Sequence, residues 1–230
     1  MGFSVSVVVP AYNRAELIGE TLDAILGQTR PPDEVVVVDD GSTDGTGDRA
    51  RDIATRVLSH RENRGKGSAL QTAFDAYVAD GFDAVVTLDA DGQHLPEEIP
   101  HLLQALADHD ADLVLGTRDH LFQAMSAVRR TSNRVSSRLI SFAAGKRFSD
   151  IQTGFRVYSR RLLESIRLQE SGFDAESAVL VRAVRRGFRV ATVPVRMERV
   201  DGRSTSHYRP VVDSLRIARA VISARFERSR

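Results

Sequence analysis

The chain has 230 residues, 42% of them hydrophobic and 27% charged, with a formal net charge of +1. That length suits one large α/β domain or two small ones, and the near-neutral balance argues against a surface built to coat nucleic acid. The absence of cysteine excludes disulfides and thiolate metal sites, and no apolar run approaches the roughly 18 residues of a membrane span.

The opening stretch "MGFSVSVVVPAY" carries neither a charged leader nor a small-residue cleavage site. It reads as a strand, and Gly2 heads straight into it, which sets aside a myristoylation reading. A cytoplasmic protein is expected. Val5 to Val9 form a β-branched run ending at Pro10, the pattern of a buried parallel strand. Ile18, Leu22, Ile25 and Leu26 then recur at helical spacing, with Asn13 placed to cap that helix and Glu16 three residues on. "EVVVVDDGSTDGT" gives a second strand over 35–38 that halts in Asp39, Asp40 and a Gly/Ser turn. "RVLSH" is a short third strand, "GKGSALQTAFDAYVADG" a helix and "DAVVTL" a fourth strand. "PEEIPHLLQALA" is a helix with Pro96 in its first turn, and "DLVLGTR" a fifth strand.

This alternation over the first 118 or so residues predicts a doubly wound, mostly parallel sheet flanked by helices. Right-handed crossovers then bring the carboxyl ends of the strands to one edge, where ligands bind. Every cluster of chemical interest falls at such an end: residues 10–13, 39–42, 89–93 and 117–118. After residue 118 the character changes. Residues 125–143 read as a basic helix with Arg129, Arg130, Arg134 and Arg138; a strand or turn, two helices and a last strand follow. No linker or repeat intervenes, so a single domain over 1–230 is expected.

"VVTLDADGQHLPEE" poses the chemical question. Asp89 and Asp91 at the end of a buried strand repel each other unless a cation lies between them. A hard divalent ion, Mg²⁺ or Mn²⁺, takes oxygen ligands and shares its shell with ligand phosphates. Gln93 adds an amide oxygen at the next alternate position, so Asp89, Asp91 and Gln93 are the candidate metal ligands. His94 is open between a ligand and a surface residue capping the next helix. The acids around Asp40 stand where ribose hydroxyls or base nitrogens need acceptors, or else form an Asx-turn. "ENRGKGSA" is Gly-rich ahead of a helix, as phosphate cradles are, yet has neither P-loop nor Rossmann Gly-x-Gly-x-x-Gly spacing. Nearly all the positive charge is arginine, a bidentate phosphate binder.

The series "VVVPAYNRAELI", "VVVVDDGSTDGT", "ENRGKGSAL", "TLDADGQHLPEEI" and "DIQTGFRVY" resembles the family 2 glycosyltransferases, whose fold is GT-A (Rossmann-like). Within them it is most similar to the dolichyl- and polyprenyl-phosphate mannose and glucose synthases. The resemblance implies a metal-dependent, inverting transfer of a hexose from a GDP-mannose or UDP-glucose type donor to polyprenyl phosphate. It makes 1–118 the nucleotide-sugar-binding half and 119–230 the acceptor half. Pro10, Tyr12, Val38 and Asp40 would surround the base and ribose, and Asp89, Ala90, Asp91 and Gln93 would hold metal and diphosphate. Arg118 matches the acceptor-phosphate arginine, Arg130 is the choice for a second, with Arg129 and Arg134 competing, and Arg199 lies in a loop that folds over the donor. Two positions depart from the pattern: Arg14 stands where this branch often has Glu, and Ser206-His207 where it has Ser-Lys.

The closing segment "PVVDSLRIARAVISARFERSR" carries an apolar stripe of Val211, Leu215, Ala218 and Ile222 with Arg216 and Arg219 beside it. It is expected either to pack on the domain or to rest as a basic amphipathic helix on the cytoplasmic membrane face. Two rival functions remain. Transfer to a hydroxyl would need a general base, for which Asp174, Glu176 and Asp150 are candidates. A nucleotide-binding module without catalysis would have little reason to retain the acid pair.

Overall fold

Val5–Ala11 (β1) and Glu34–Asp39 (β2) are buried on both faces, or nearly so, as strands must be when helices cover both sides of a parallel sheet. The structure is a computed structural model that describes residues 3–117, 127–148, 151, 153–197 and 210–227, without the side chains of 79, 127–135, 210 and 211. In chain order the elements are β1, α1 (Ile18–Leu26), β2, α2 (Thr46–Arg51), β3 (Arg56–Ser59), α3 (Lys66–Asp80), β4 (Ala84–Thr87), a 3₁₀ turn (Pro96–Glu98), α4 (Ile99–Asp108) and β5 (Leu113–Thr117). Then follow α5 (Ala127–Ala144), β6 (Arg156–Ser159), α6 (Arg160–Ser165), α7 (Asp174–Arg185), β7 (Val190–Pro194) and α8 (Pro210–Phe226).

The strands form one sheet in the order β3-β2-β1-β4-β6-β5-β7. All neighbours are parallel except β6, which runs antiparallel between β4 and β5. The mostly parallel sheet read from the sequence is therefore present. Successive side chains of a strand point to opposite faces, and the core divides accordingly. Val7, Val9, Val35, Val37 and Val86 pack under α1 and α4. Val8, Val36, Val38 and Val85 pack under α3, α7 and α8 on the other face. Each such fully buried aliphatic side chain contributes about 1.5–3 kcal/mol.

Two local expectations are corrected. Asn13 does not cap α1, whose N-cap is Leu17 with no side-chain bond. It instead adopts a left-handed conformation at φ 50°; its N–H donates to Ser42 Oγ and its Oδ1 accepts from Thr43 N–H. The side chain is spent on joining the loop after β1 to the loop after β2. Leu26, the last member of the expected stripe, is exposed.

The order of β2, β1 and β4 reverses the winding direction between β1 and β4. In such sheets ligands bind in the crevice outside the strand carboxyl ends at that point.

Candidate active site

A cavity of about 620 Å³ opens at that crevice, within the range that holds a cofactor-sized ligand. Its walls include Pro10, Tyr12 and Arg14 after β1, Asp40 after β2, and Asp89, Ala90 and Asp91 after β4. Gly65 and Lys66 come from the start of α3, Phe173 from ahead of α7, and Asp213 and Arg216 from α8. Six separate segments thus meet at one edge of the sheet.

Lys66 is the electrostatic centre of this arrangement. Its Nζ lies 2.6 Å from Asp89 Oδ1 and 3.0 Å from Glu176 Oε2. Burial alone would lower the lysine pKa, but the Asp89 and Glu176 carboxylates outweigh it and hold the group above its ordinary value as an ammonium. Asp91 behaves oppositely: burial first, and then the neighbouring Asp89 charge, push its carboxyl above the usual range. A buried acid raised by a second acid is a site that gains from a further cation.

The supports of Asp89 explain two sequence motifs. Its backbone N–H donates to His94 Nδ1 at 3.1 Å, and His94 is buried against Phe155 with ring centroids 5.2 Å apart. His94 is thus a buried prop of the strand end and not the surface cap considered from the sequence. Gly154, of "TGFR", packs directly on the carboxylate: a Cβ there would lie 2.5 Å from Asp89 Oδ2. Arg156 of the same motif is fully buried and donates to the carbonyls of Ile151, Thr153 and Glu176 at 2.7–2.8 Å. It ties the turn before β6 to the first turn of α7, which carries Glu176.

The "GKG" segment also has a different role from a phosphate cradle. The N–H groups of Gly67 and Ser68 donate to Ser171 O at 2.7 and 3.3 Å, so they are used within the protein. A side chain at Gly67 would press on the Glu170 carbonyl and lie 2.7 Å from Ala175 Cβ. The glycines let α3 start hard against the 170–172 loop, and that contact aims Lys66 into the cavity.

Asp40 lines the cavity, but its carboxylate is engaged. It lies 2.6 Å from His60 Nδ1 and accepts from Arg64 N–H and Gly65 N–H at 2.9 and 2.7 Å. Val38 is buried in the core beneath α3 and does not line the cavity. Gln93 does not line it either; its N–H donates to Asp91 Oδ1 at 3.0 Å. Arg118 and Arg199 lie outside the described residues, as does Asp150. Arg130 lies in α5, but its side chain is outside them too.

Among the described residues no group of three or more His, Cys, Asp or Glu side chains forms a cage for a metal ion. The donor set does fit a hard divalent cation of the kind that takes one or two carboxylates and completes its shell with water and ligand phosphates.

An acid pair at the switch point of this sheet suits a hard divalent cation and a phosphate-bearing ligand, and comparison with known proteins decides the family. The model of glycosyl transferase family 2 matches residues 6–167. The chain belongs to glycosyl transferase family 2. Polyprenol monophosphomannose synthase of Mycolicibacterium smegmatis is 33% identical over 207 residues, covering 82% of this chain and 75% of its own length. Undecaprenyl-phosphate mannosyltransferase of Micrococcus luteus is 33% identical over 207 residues, with 83% and 82% covered. Dolichyl-phosphate hexose transferase of Haloferax volcanii is 36% identical over 192 residues, with 83% and 81% covered. Among solved structures, glucosyl-3-phosphoglycerate synthase from Mycobacterium tuberculosis, bound to Mn²⁺, UDP and glucosyl-3-phosphoglycerate, superposes with a TM-score of 0.71 at 25% identity. That match covers 97% of this chain and 78% of the other.

The family 2 chain is thus a glycosyltransferase with the GT-A fold, one mixed sheet between two helical layers. Sequence reasoning located the acid pair and the β1 residues of its site. It did not place Lys66, Phe173, Asp213 or Arg216 in the cavity. For Lys66 a signal existed: it is one of two lysines in an arginine-rich chain and sits between two glycines.

Proposed function

We propose that this glycosyltransferase moves a hexose from a nucleotide diphosphate-sugar to a polyprenyl or dolichyl phosphate, with a divalent cation. The observation that carries the donor half is the Asp89–Asp91 pair, with Lys66 beside it, at the edge of the cavity. Asp89 and Asp91 would hold Mg²⁺ or Mn²⁺, which when bound supplies Lewis-acid stabilisation of the departing nucleotide diphosphate. Lys66 fixes the Asp89 carboxylate from one side, and His94 fixes its backbone from the other. Tyr12 and Pro10 form the wall on which the base would lie.

The acceptor half rests on relatives named for polyprenol, undecaprenyl-phosphate and dolichyl-phosphate substrates. A phosphate monoester with a second pKa near 6 is largely dianionic at neutral pH (about −1.5 to −2). It attacks the anomeric carbon without losing a proton, so orientation and positive charge do the catalytic work. Arg216 and Arg14 line the cavity and supply such charge; Arg118, Arg130 and Arg199 are the further candidates from the sequence.

Transfer to a hydroxyl is the second reading, and the likeness to an enzyme bound to glucosyl-3-phosphoglycerate favours it. It requires a base. Of its candidates, Glu176 has one oxygen on Lys66 and, like Asp174, does not line the cavity.

The test incubates the protein and Mn²⁺ with a polyprenyl phosphate and radiolabelled GDP- and UDP-sugars. Label should pass into the organic phase with one donor, and EDTA or Asp91→Asn should abolish it. Release of free sugar with no lipid product would overturn the acceptor assignment while leaving the donor site standing.

A further inference from the structure

Helix α8 is apolar on two opposite faces. Ile217, Ala220, Val221 and Ala224 are buried in the core shared with α5 and α7. Val212, Leu215, Ile222 and Phe226 recur at spacings of three, seven and four, which places them on one line of the helix, and that line faces outward. Leu215 is 63% exposed, Ile222 50% and Phe226 75%. Isolated exposed apolar residues need no explanation, but these are not isolated. Of the six large hydrophobic side chains exposed among the described residues, four are on this line and a fifth, Phe142, is 71% exposed on α5. Arg225 joins the two helices: its guanidinium stacks 5.1 Å from the Phe142 ring and donates to the carbonyls of Phe142 and Ala143.

On the two helices that carry these side chains the charge exposed among the described residues is positive, and Glu227, next after α8, is paired with the buried Arg182. Arg216 and Arg219 are exposed on α8, and the sole acid of that helix, Asp213, is buried. Helix α5 contains four arginines, Arg138 exposed among them, and no acid. A second copy seated here would bring arginine against arginine. An anionic bilayer matches both properties, because interfacial helices bury a narrow apolar stripe at the acyl boundary and place cations among anionic headgroups. The line also begins at the site: Val212 and Arg216 line the cavity.

We propose that the outer line of α8, with Phe142, is a membrane-docking surface that sets the mouth of the cavity against an anionic bilayer. The inference deepens the lipid-acceptor reading, on which its biological purpose rests.

The experiment is flotation of the full chain with vesicles of phosphatidylcholine, with and without phosphatidylglycerol, and no polyprenyl phosphate. Binding is expected with the anionic vesicles, weaker with neutral ones and weakened by salt. The double variant Leu215→Asp/Phe226→Asp should lose roughly tenfold or more of the vesicle affinity while still glycosylating a short, water-soluble polyprenyl phosphate as the parent does. Equal binding by parent and variant, or no binding to either vesicle, overturns the inference, as does a dimer in analytical ultracentrifugation that the variant abolishes. Vesicle binding without transfer to any polyprenyl phosphate would sink the acceptor reading and leave the docking surface intact. Transfer to the soluble acceptor without vesicle binding would do the reverse.

Discussion

Lys66 Nζ stands 2.6 Å from Asp89 Oδ1, so the first acid of the pair is in direct contact with a built-in counter-ion, whereas at Asp91 the Lys66 and Arg14 charges are outweighed by burial and by Asp89. This asymmetry assigns the two acids different tasks. Asp89 is fixed in place by the protein, whereas Asp91 is held above its usual pKa by burial and by Asp89.

Replacing Lys66 should therefore disturb the site more than a cavity-lining position ordinarily would. Lys66→Met leaves Asp89 and Glu176 facing each other without the ammonium, and kcat/KM should fall about a hundredfold, near 2.7 kcal/mol at 1.36 kcal/mol per decade. Steady-state kinetics at saturating Mn²⁺ would check it. A loss of less than about threefold would mean that the ammonium is only a structural counter-ion.

Gly154 gives a second prediction. A methyl group there meets both Asp89 oxygens, at 2.5 and 2.7 Å, and must displace the carboxylate. Gly154→Ala should remain folded at a cost of about 1–3 kcal/mol, typical of overpacking. The increase in Tm on adding Mn²⁺ with a nucleoside diphosphate should shrink sharply. An unchanged increase would show that Asp89 tolerates the shift.

Asp112 supports a pH prediction away from the cavity. Its buried carboxylate accepts from Arg161 Nε and Nη2 at 2.8 and 2.7 Å, from Arg189 N–H at 2.9 Å and from Ser159 Oγ at 3.2 Å. Burial raises its pKa, but these donors outweigh burial and hold it below the ordinary carboxylate value. A depressed folded-state pKa means that the stabilisation is complete above the unfolded-state value and lost as pH falls through the folded one. Asp112→Asn should cost about 2–4 kcal/mol at pH 7, with the gap to the parent closing in acid. Urea denaturation at pH 7 and near pH 3 would reveal it; a gap independent of pH would rule out the carboxylate charge as its source.

The parts of this molecule legible in the sequence are those set by neighbours along the chain. The Val runs of β1 and β2 and the placement of Asp89 and Asp91 directly after β4 needed only period and position. The remainder is settled by distant partners. Lys66 acquires its role from Glu176 on α7 and Asp89 after β4, a meeting that no local pattern encodes. Asn13 has the composition of a helix cap, yet the loop after β2 competes for it and wins. On α8 the stripe of Val211, Leu215, Ala218 and Ile222 was read as the apolar face. The packed face is the one carrying Ile217, Ala220, Val221 and Ala224, and Leu215 and Ile222 point away from it. Alternate apolar faces on one helix look alike until the domain chooses between them.

The antiparallel β6 also governs the order in which the chain can fold. It seals β4 on one side and β5 on the other, so both strands keep an open edge until residues 156–159 have emerged from the ribosome. Pairing that waits on so remote a segment is slow, and until then the growing chain exposes apolar strand edges of the kind that aggregate. A fragment ending after β5 should accordingly stay unfolded or aggregate when made alone, which circular dichroism and sedimentation would register. Asp89 and Asp91 are synthesised early and locked in place late.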